Sequence, residues 1–177
     1  MNNTVTNEKT FKEKGFLDNI KIDIRTRSGA TIFIPINNKV TILKGNSATG
    51  KTKLINYLDM LLIDKLEIEY CNMNYNNIII CKNKLEVMNF IENSKRTHMK
   101  NKVIIIDRFD TMSADEEIID FIAESQNVFI VCAHRPFDQC GYNTYSMLGL
   151  KHDGINYEAY QLFKRPSDYL IQTDVLI

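Results

Sequence analysis

The sequence predicts an α/β domain of three layers, in which a mainly parallel central sheet is flanked by β-hairpins. The chain has 177 residues, of which 44% are hydrophobic, and this size suits one compact domain. A continuous β-branched run at residues 103–106 and a continuous apolar run at residues 128–132 are typical of buried parallel strands, and an amphipathic segment separates them. Alternating segments towards both ends of the chain indicate antiparallel hairpins.

The first third of the sequence predicts a hairpin, a strand and a helix in that order. Residues 20–24 alternate strictly between apolar and other side chains, a turn is expected at Ser28 and Gly29, and residues 30–34 return as a second apolar run. Residues 40–43 have the apolar character of a short buried strand. Helical spacing then places one apolar face on residues Leu54, Ile55, Leu58, Leu61 and Leu62.

The middle of the sequence continues to alternate strands with helices. Two short strands are expected at residues 66–70 and 77–81, followed by a helix from Lys84. Ser113 and Glu116 stand three residues apart and match a capping box, which predicts that a helix starts there. The inner face of that helix is expected to consist of Ile118, Ile119 and Ile122.

The last part of the sequence predicts a second hairpin. Residues 144–150 and residues 155–163 read as strands, and the intervening Asp153-Gly154 pair is a strong turn signal. We expect this hairpin, like the first, to flank the parallel strands.

The chain is expected to form one domain with two extensions. No Pro- or Gly-rich linker interrupts it, so residues 18–163 are assigned to the domain, residues 1–17 to a flexible N-terminal arm and residues 164–177 to a C-terminal tail. The four cysteines lack CxxC spacing, which argues against a disulfide framework and favours a reducing cytoplasm.

Composition excludes some classes of partner. Lys plus Arg and Asp plus Glu both total 22, so the chain has no overall positive field, and a nucleic-acid partner is not expected. The basic stretch at residues 95–102 is expected to be a solvated helix end. No apolar run approaches the roughly 20 residues that span a bilayer, so no membrane partner is expected.

One segment carries a specific signal for phosphate binding. The pattern G-x-x-x-x-G-K-[ST], the Walker A motif, lies between a predicted strand and a predicted helix, where backbone N–H groups and the helix end point at phosphate oxygens. Its glycines allow close backbone approach, its lysine neutralises the β- and γ-phosphates, and its threonine hydroxyl binds Mg²⁺. The matching residues are Gly45, Asn46, Ser47, Ala48, Thr49, Gly50, Lys51 and Thr52.

A second segment has the pattern of a Walker B strand. Three isoleucines at residues 104–106 are followed by Asp107, so that a buried strand would hold a carboxylate at its end. In this arrangement the carboxylate lies beside the phosphate loop and orients hydrated Mg²⁺. We therefore expect Asp107 to share the metal with Thr52.

With both motifs in place, the sequence resembles the P-loop NTPases, and among them the ATPase heads of ABC-type proteins. The phosphate loop follows a hairpin, as in ABC-type domains, and the strand at residues 128–132 leads into His134, which is similar to the ABC-type strand that ends in a switch histidine. The Asp153-Gly154 turn looks like part of the closing hairpin of such heads. The resemblance implies binding of ATP with Mg²⁺ and contact between His134 and the γ-phosphate. Position alone is equally compatible with a hydrogen-bonded histidine at a strand end.

The sequence also departs from the ABC-type pattern. The catalytic glutamate of that family directly follows the Walker B aspartate, and here that place is taken by Arg108. Asp110 is the nearest carboxylate, and Glu116 and Glu117 begin the next helix, so the general base is sought among these residues. No LSGGQ-like signature precedes the Walker B strand, and no glutamine stands in the place of a Q-loop.

These observations predict a small cytoplasmic ATP-binding protein of P-loop type that is a slow Mg²⁺-dependent ATPase. The candidate catalytic residues are Asp110, His134 and Glu116, and the candidate metal ligands are Thr52 and Asp107. Two alternatives stay open: a P-loop kinase for a small metabolite, and a nucleotide-dependent module that binds a protein partner without significant hydrolysis. GTP is a further alternative to ATP.

Overall fold

The computed structural model describes residues 20–45, 49–134 and 145–163, which form one mixed nine-stranded sheet and three α-helices. The predicted N-terminal arm, residues 1–17, and the predicted C-terminal tail, residues 164–177, lie outside the described residues. The helices are α1 (Lys51–Ile63), α2 (Lys84–Thr97) and α3 (Glu116–Glu124). The strands are β1 (Ile20–Thr26), β2 (Thr31–Ile36), β3 (Val40–Lys44), β4 (Ile68–Cys71), β5 (Ile78–Cys81), β6 (Val103–Ile106), β7 (Val128–Ala133), β8 (Tyr145–Asp153) and β9 (Asn156–Phe163).

The strand order is β4-β1-β2-β9-β8-β3-β7-β6-β5. The block from β8 to β5 is parallel throughout, with β3 paired to β8 on one side and to β7 on the other. Beyond β8 the pairings are antiparallel, except that β2 runs parallel to β9. The α/β class is therefore confirmed, whereas the sheet as a whole is mixed.

The two predicted hairpins form, but both lie on the same side of β3. The β1–β2 and β8–β9 hairpins join through the pairing of Ile32 with Tyr157. Every second residue of these strands faces the same core as α1, so joining the hairpins buries one continuous apolar surface. The hairpins therefore flank the parallel strands on one side of the sheet.

The two short strands of the middle segment separate to opposite edges of the sheet. β4 pairs with β1 at one edge, and β5 pairs with β6 at the other. Both strands are confirmed close to their predicted positions, but nothing in their local sequence indicates which partner each one takes.

Two apolar cores lie on opposite faces of the central strands. Val103 and Ile105 of β6 enter the core that contains α1, while Ile104 and Ile106 enter the core that contains α2 and α3. Burial on both faces explains why the β-branched run at β6 is continuous and not alternating. The buried helix residues are Leu54, Ile55, Leu58 and Leu61 of α1, Val87, Phe90 and Ile91 of α2, and Ile118, Phe121 and Ile122 of α3.

The start of α3 differs from the predicted capping box. The N-cap is Asp115, whose side chain accepts a hydrogen bond from the backbone N–H of Ile118, and Glu116 is the first residue of the helix. Ser113 instead donates to the carbonyl of Asp110. Asp is as good an N-cap as Ser, and the 3₁₀ turn that follows β6 holds Ser113 outside the helix.

Three of the cysteines, Cys71, Cys81 and Cys132, lie in the described part of the chain and are free thiols. Burial raises the pKa of the Cys81 thiol to about 12, so this group is protonated at neutral pH. Among the described residues, no helix has both the length and the apolar character needed to cross a lipid bilayer.

Candidate functional site

The Walker A segment follows β3 and leads into α1, as predicted. Gly50 is the N-cap of α1 and has a left-handed backbone with φ of 83°, which favours glycine over residues with a side chain. A Cβ on Gly45 would lie 2.5 Å from Thr49 Oγ1, so the loop packs more tightly here than other residues allow. Asn46, Ser47 and Ala48 lie outside the described residues, and their phosphate contacts stay a prediction.

Lys51 is almost completely buried at the start of α1, with 2% of its surface exposed. Its Nζ donates hydrogen bonds to the carbonyl of Gly45 and, at 3.1 Å, to Thr49 Oγ1. The ammonium group therefore points back across the loop and not into solvent. A buried lysine is costly unless a polar partner faces it, and this one faces the loop in which an anion is expected.

Burial outweighs the neighbouring charges in setting the pKa of Lys51. Burial lowers the pKa of the ammonium group, while Cys132, Asp107 and Asp110 act in the opposite direction. Burial also raises the pKa of the Cys132 thiol, so Cys132 is a neutral neighbour at physiological pH. The two carboxylates are then the counter-charges of Lys51 among these neighbours.

Thr52 and Asp107 meet although 55 positions separate them in the sequence. Thr52 Oγ1 donates to Asp107 Oδ2 at 3.3 Å, and the backbone N–H of Arg108 donates to Asp107 Oδ1 at 2.9 Å. Asp107 is 4% exposed, and its own N–H donates to the carbonyl of Cys81 at the end of β5. The sheet thus fixes the carboxylate at the edge where the loop leaves β3.

The oxygen atoms of Thr52 and Asp107 suit Mg²⁺. This ion prefers oxygen ligands and is commonly held by one or two protein groups together with phosphates and water. No group of three or more His, Cys, Asp and Glu in the described residues could hold a metal, so an all-protein metal cage is not found there. The donor set fits a magnesium ion that is bound together with a phosphate ligand.

The chain turns sharply after Asp107. Arg108 adopts a left-handed conformation with φ of 50° and its side chain is exposed, whereas Phe109 is fully buried. Burial of Phe109 explains the turn, because the ring packs in the core with α2 and α3. The turn leaves Asp110 close enough to Lys51 to affect its pKa, and Asp110 Oδ1 is buried without a hydrogen-bond partner among the described residues.

His134 lies at the same edge of the sheet. It directly follows Ala133, which pairs with Lys44 at the end of β3. His134 Nδ1 is buried and has no hydrogen-bond partner in the described part of the chain. Glu116, by contrast, is exposed in the first turn of α3.

The sequence did not single out His152 as a site residue. A Cβ on Gly50 would lie 2.7 Å from Cδ2 of the His152 ring, so this side chain lies directly against the start of α1. His152 continues the row of Leu148 and Leu150, which face the core that contains α1, but local spacing does not show that β8 extends past β3 to reach Gly50.

Two further features of the surface are the basic stretch and a cleft. Lys95 makes an ion pair with Glu117 at 2.9 Å, and Lys102 donates to Asn77, so both ends of the basic stretch have partners within the fold. The cleft has a volume of about 520 Å³, and its lining includes His152 and Tyr157, so it borders the His152 side chain.

Comparisons with known proteins leave the family of this chain open. No protein-family model matches the chain, and no curated protein matches it. One solved structure with some similarity is that of PCH-2 from C. elegans, with 13% identity and a TM-score of 0.35. The match covers 66% of this chain and 36% of PCH-2, so the chain spans well under two thirds of the length of that relative. A similarity of this size carries no argument about family or function.

Proposed function

We propose that this chain is a P-loop type protein that binds ATP together with Mg²⁺ and hydrolyses it slowly. The observation that carries the proposal is the contact between Thr52 and Asp107, beside the buried ammonium group of Lys51. Three residues that the phosphate-loop chemistry requires come from two distant segments and meet at one edge of the parallel sheet. In open α/β sheets this edge is the usual place for a ligand.

Phosphate binding would use groups that are already in position. Lys51 is held in the loop by Gly45 and Thr49, and a phosphate oxygen would replace those weaker neutral acceptors with a charge-assisted hydrogen bond. Gly50 starts α1 with a left-handed backbone, and the backbone N–H groups at a helix N-terminus favour an anion.

Mg²⁺, when bound, would neutralise charge on the β- and γ-phosphates. In this proposal the hydroxyl of Thr52 and the carboxylate of Asp107 hold the metal. Oδ1 of Asp107 accepts a hydrogen bond from the backbone N–H of Arg108, and this bond fixes the orientation of the carboxylate.

The proposed hydrolysis is slow because no carboxylate directly follows Asp107. Arg108 occupies that place and is exposed. We assign the general base to Asp110, whose buried Oδ1 lacks a partner among the described residues, and we assign a hydrogen bond to the terminal phosphate to His134. The exposure of Glu116 makes it the weaker candidate for the base.

The presence of Arg108 directly after Asp107 also supports a second candidate function. Because Arg108 stands where a catalytic glutamate is expected, the nucleotide could act as a ligand that orders a surface for a protein partner, without significant turnover. This alternative shares the binding site and differs only in the rate of hydrolysis.

Phosphate release from ATP and from GTP, measured with and without Mg²⁺, tests the proposal. We expect slow Mg²⁺-dependent release that is absent in Lys51→Ala and present in the exposed neighbour variant Lys53→Ala. Release no faster than the metal-free background, combined with tight ATP binding, would favour the interaction module. Neither binding nor release with either nucleotide would contradict both candidates.

A further inference from the structure

The side chain of His152 lies against the phosphate loop from the β8 side. β8 pairs with β3 up to Leu148 and then continues beyond the end of β3, so that its last residues run beside the start of α1. The His152 ring is so close to Gly50 that a Cβ there would lie 2.7 Å from Cδ2 and 3.0 Å from Nε2. The His152 ring therefore borders the start of α1 on the β8 side.

The sheet order fixes the direction in which a bound nucleotide would extend. Asp107 follows β6, which lies beyond β7 on one side of β3, whereas His152 lies on β8, which is next to β3 on the other side. Mg²⁺, when bound, would be held by Thr52 and Asp107 and would neutralise charge on the terminal phosphates, so Asp107 would mark the terminal phosphate end of the nucleotide. The nucleoside end then extends towards β8.

His152 is also held in a fixed orientation. Its ring stacks on that of Tyr157, its partner across the β8–β9 hairpin, with centroids 5.7 Å apart and an interplanar angle of 29°. Tyr157 is buried and in turn contacts Tyr57 of α1, with centroids 6.2 Å apart. The side chain of His152 itself is exposed at the end of this aromatic row. An oriented, exposed aromatic ring is a ready stacking surface, since every base presents a π-face.

We propose that His152 stacks against the base of the nucleotide whose phosphates occupy the loop. This inference rests on the proposed function and adds a residue that distinguishes a nucleotide from a simple polyphosphate. The chemical class recognised is a nucleoside triphosphate, of which the base contributes affinity through stacking. Stacking alone does not distinguish adenine from guanine.

Calorimetric titration of the full chain with Mg²⁺ and either ATP or inorganic tripolyphosphate tests this inference. We expect wild type to bind ATP more tightly than tripolyphosphate. In His152→Ala, ATP affinity should fall by about 5- to 150-fold, the range expected for loss of one base-stacking contact, while tripolyphosphate affinity stays unchanged. His152→Phe should recover most of the loss because it restores an aromatic ring. Ile155→Ala, at the exposed end of the same hairpin, is the matched control and should behave as wild type.

Several outcomes would overturn the inference. Unchanged ATP affinity in His152→Ala would show that the base does not contact this ring, and an equal loss for ATP and tripolyphosphate would show that His152 only supports the loop. If wild type binds neither ATP nor tripolyphosphate, the proposed function fails as well. If wild type binds both ligands and only the result for His152→Ala differs from expectation, the proposed function stands and this inference fails.

A second readout measures binding on wild-type protein and uses a variant only to assign the signals. The carbon-bound protons of the His152 imidazole, assigned by their absence in His152→Ala, should shift in proton NMR when ATP is added. They should shift much less when tripolyphosphate is added. Equal shifts with both ligands would contradict stacking.

Discussion

Asp107 uses its two carboxylate oxygens for different contacts. Oδ1 accepts a backbone hydrogen bond from Arg108, and Oδ2 faces the hydroxyl of Thr52. Asp107→Asn retains an oxygen for the first contact and removes the negative charge needed for the metal. We therefore expect this variant to fold and to bind ATP normally without metal, but to lose the gain in affinity that Mg²⁺ gives to wild type. Calorimetry with and without Mg²⁺ measures this gain, and an intact gain would make Asp107 a purely structural residue.

Asp110 and Glu116 provide a direct test of the general base. Asp110→Asn should lower the rate of hydrolysis about a hundredfold or more while leaving ATP affinity near that of wild type. A general base stabilises the transition state and does not strengthen ground-state binding. Glu116→Gln is the matched control and should change little, since Glu116 is exposed at the start of α3. The assignment would be reversed if Glu116→Gln were the damaging change.

At the scale of single residues, the sequence predicts contacts that chemistry requires and misses those that packing creates. The meeting of Thr52 with Asp107 follows from the two motifs, and the burial of Phe109 follows from its apolar side chain beside polar neighbours. The position of His152 depends on how far β8 extends past β3. That extension is a tertiary feature, which residue spacing does not encode.

At the scale of elements, the start of α3 offers a test of local stability. Asp115→Ala removes the N-cap hydrogen bond to Ile118 and the ion pair with Lys84 at 2.6 Å, so we expect the free energy of unfolding at neutral pH to fall by about 1 kcal/mol. Ser113→Ala, which removes only a hydroxyl outside the helix, should cost less. Denaturant unfolding of both variants measures the difference, and a larger loss in Ser113→Ala would contradict the observed cap.

The same cap should make stability depend on pH. A hydrogen bond from Lys84 is the main cause that lowers the pKa of Asp115 below its ordinary 3.8. The pKa of Asp115 is lower in the folded than in the unfolded state, so the carboxylate contributes its full stabilisation of the fold above the unfolded pKa. This stabilisation is lost as the pH falls through the folded pKa. The difference in stability between wild type and Asp115→Ala should therefore shrink as the pH is lowered below 3.8.

Elements could be predicted from the sequence more fully than their arrangement. Period-two and helical patterns identify the hairpins and the three helices because each pattern reports which side chains are buried. They do not report which strands become neighbours, and for this reason β4 and β5 reach opposite edges while the two hairpins join on one side. Long-range pairing depends on which apolar surfaces can be buried together, and local spacing carries little information about this.

At the scale of the whole molecule, one edge of the sheet brings together five residues of the proposed site that the structure describes. Lys51 and Thr52 follow β3, Asp107 follows β6, and His134 follows β7, while His152 reaches the same place on β8. The parallel block makes this possible, because parallel strands end at the same edge. The mixed half of the sheet supports the arrangement by burying its apolar row against α1.

The most direct test of this account is the calorimetric affinity of ATP with Mg²⁺ for wild type, Lys51→Ala and Lys53→Ala. Lys51 is buried in the loop, whereas Lys53 is exposed on the same turn of α1, so the pair differs in position and not in the charge removed. We predict that Lys51→Ala lowers the affinity by at least about tenfold, because the phosphates lose their cation, and that Lys53→Ala leaves it near wild type. The phosphate-loop assignment would be contradicted if Lys51→Ala showed a cooperative thermal unfolding transition and bound ATP as tightly as wild type.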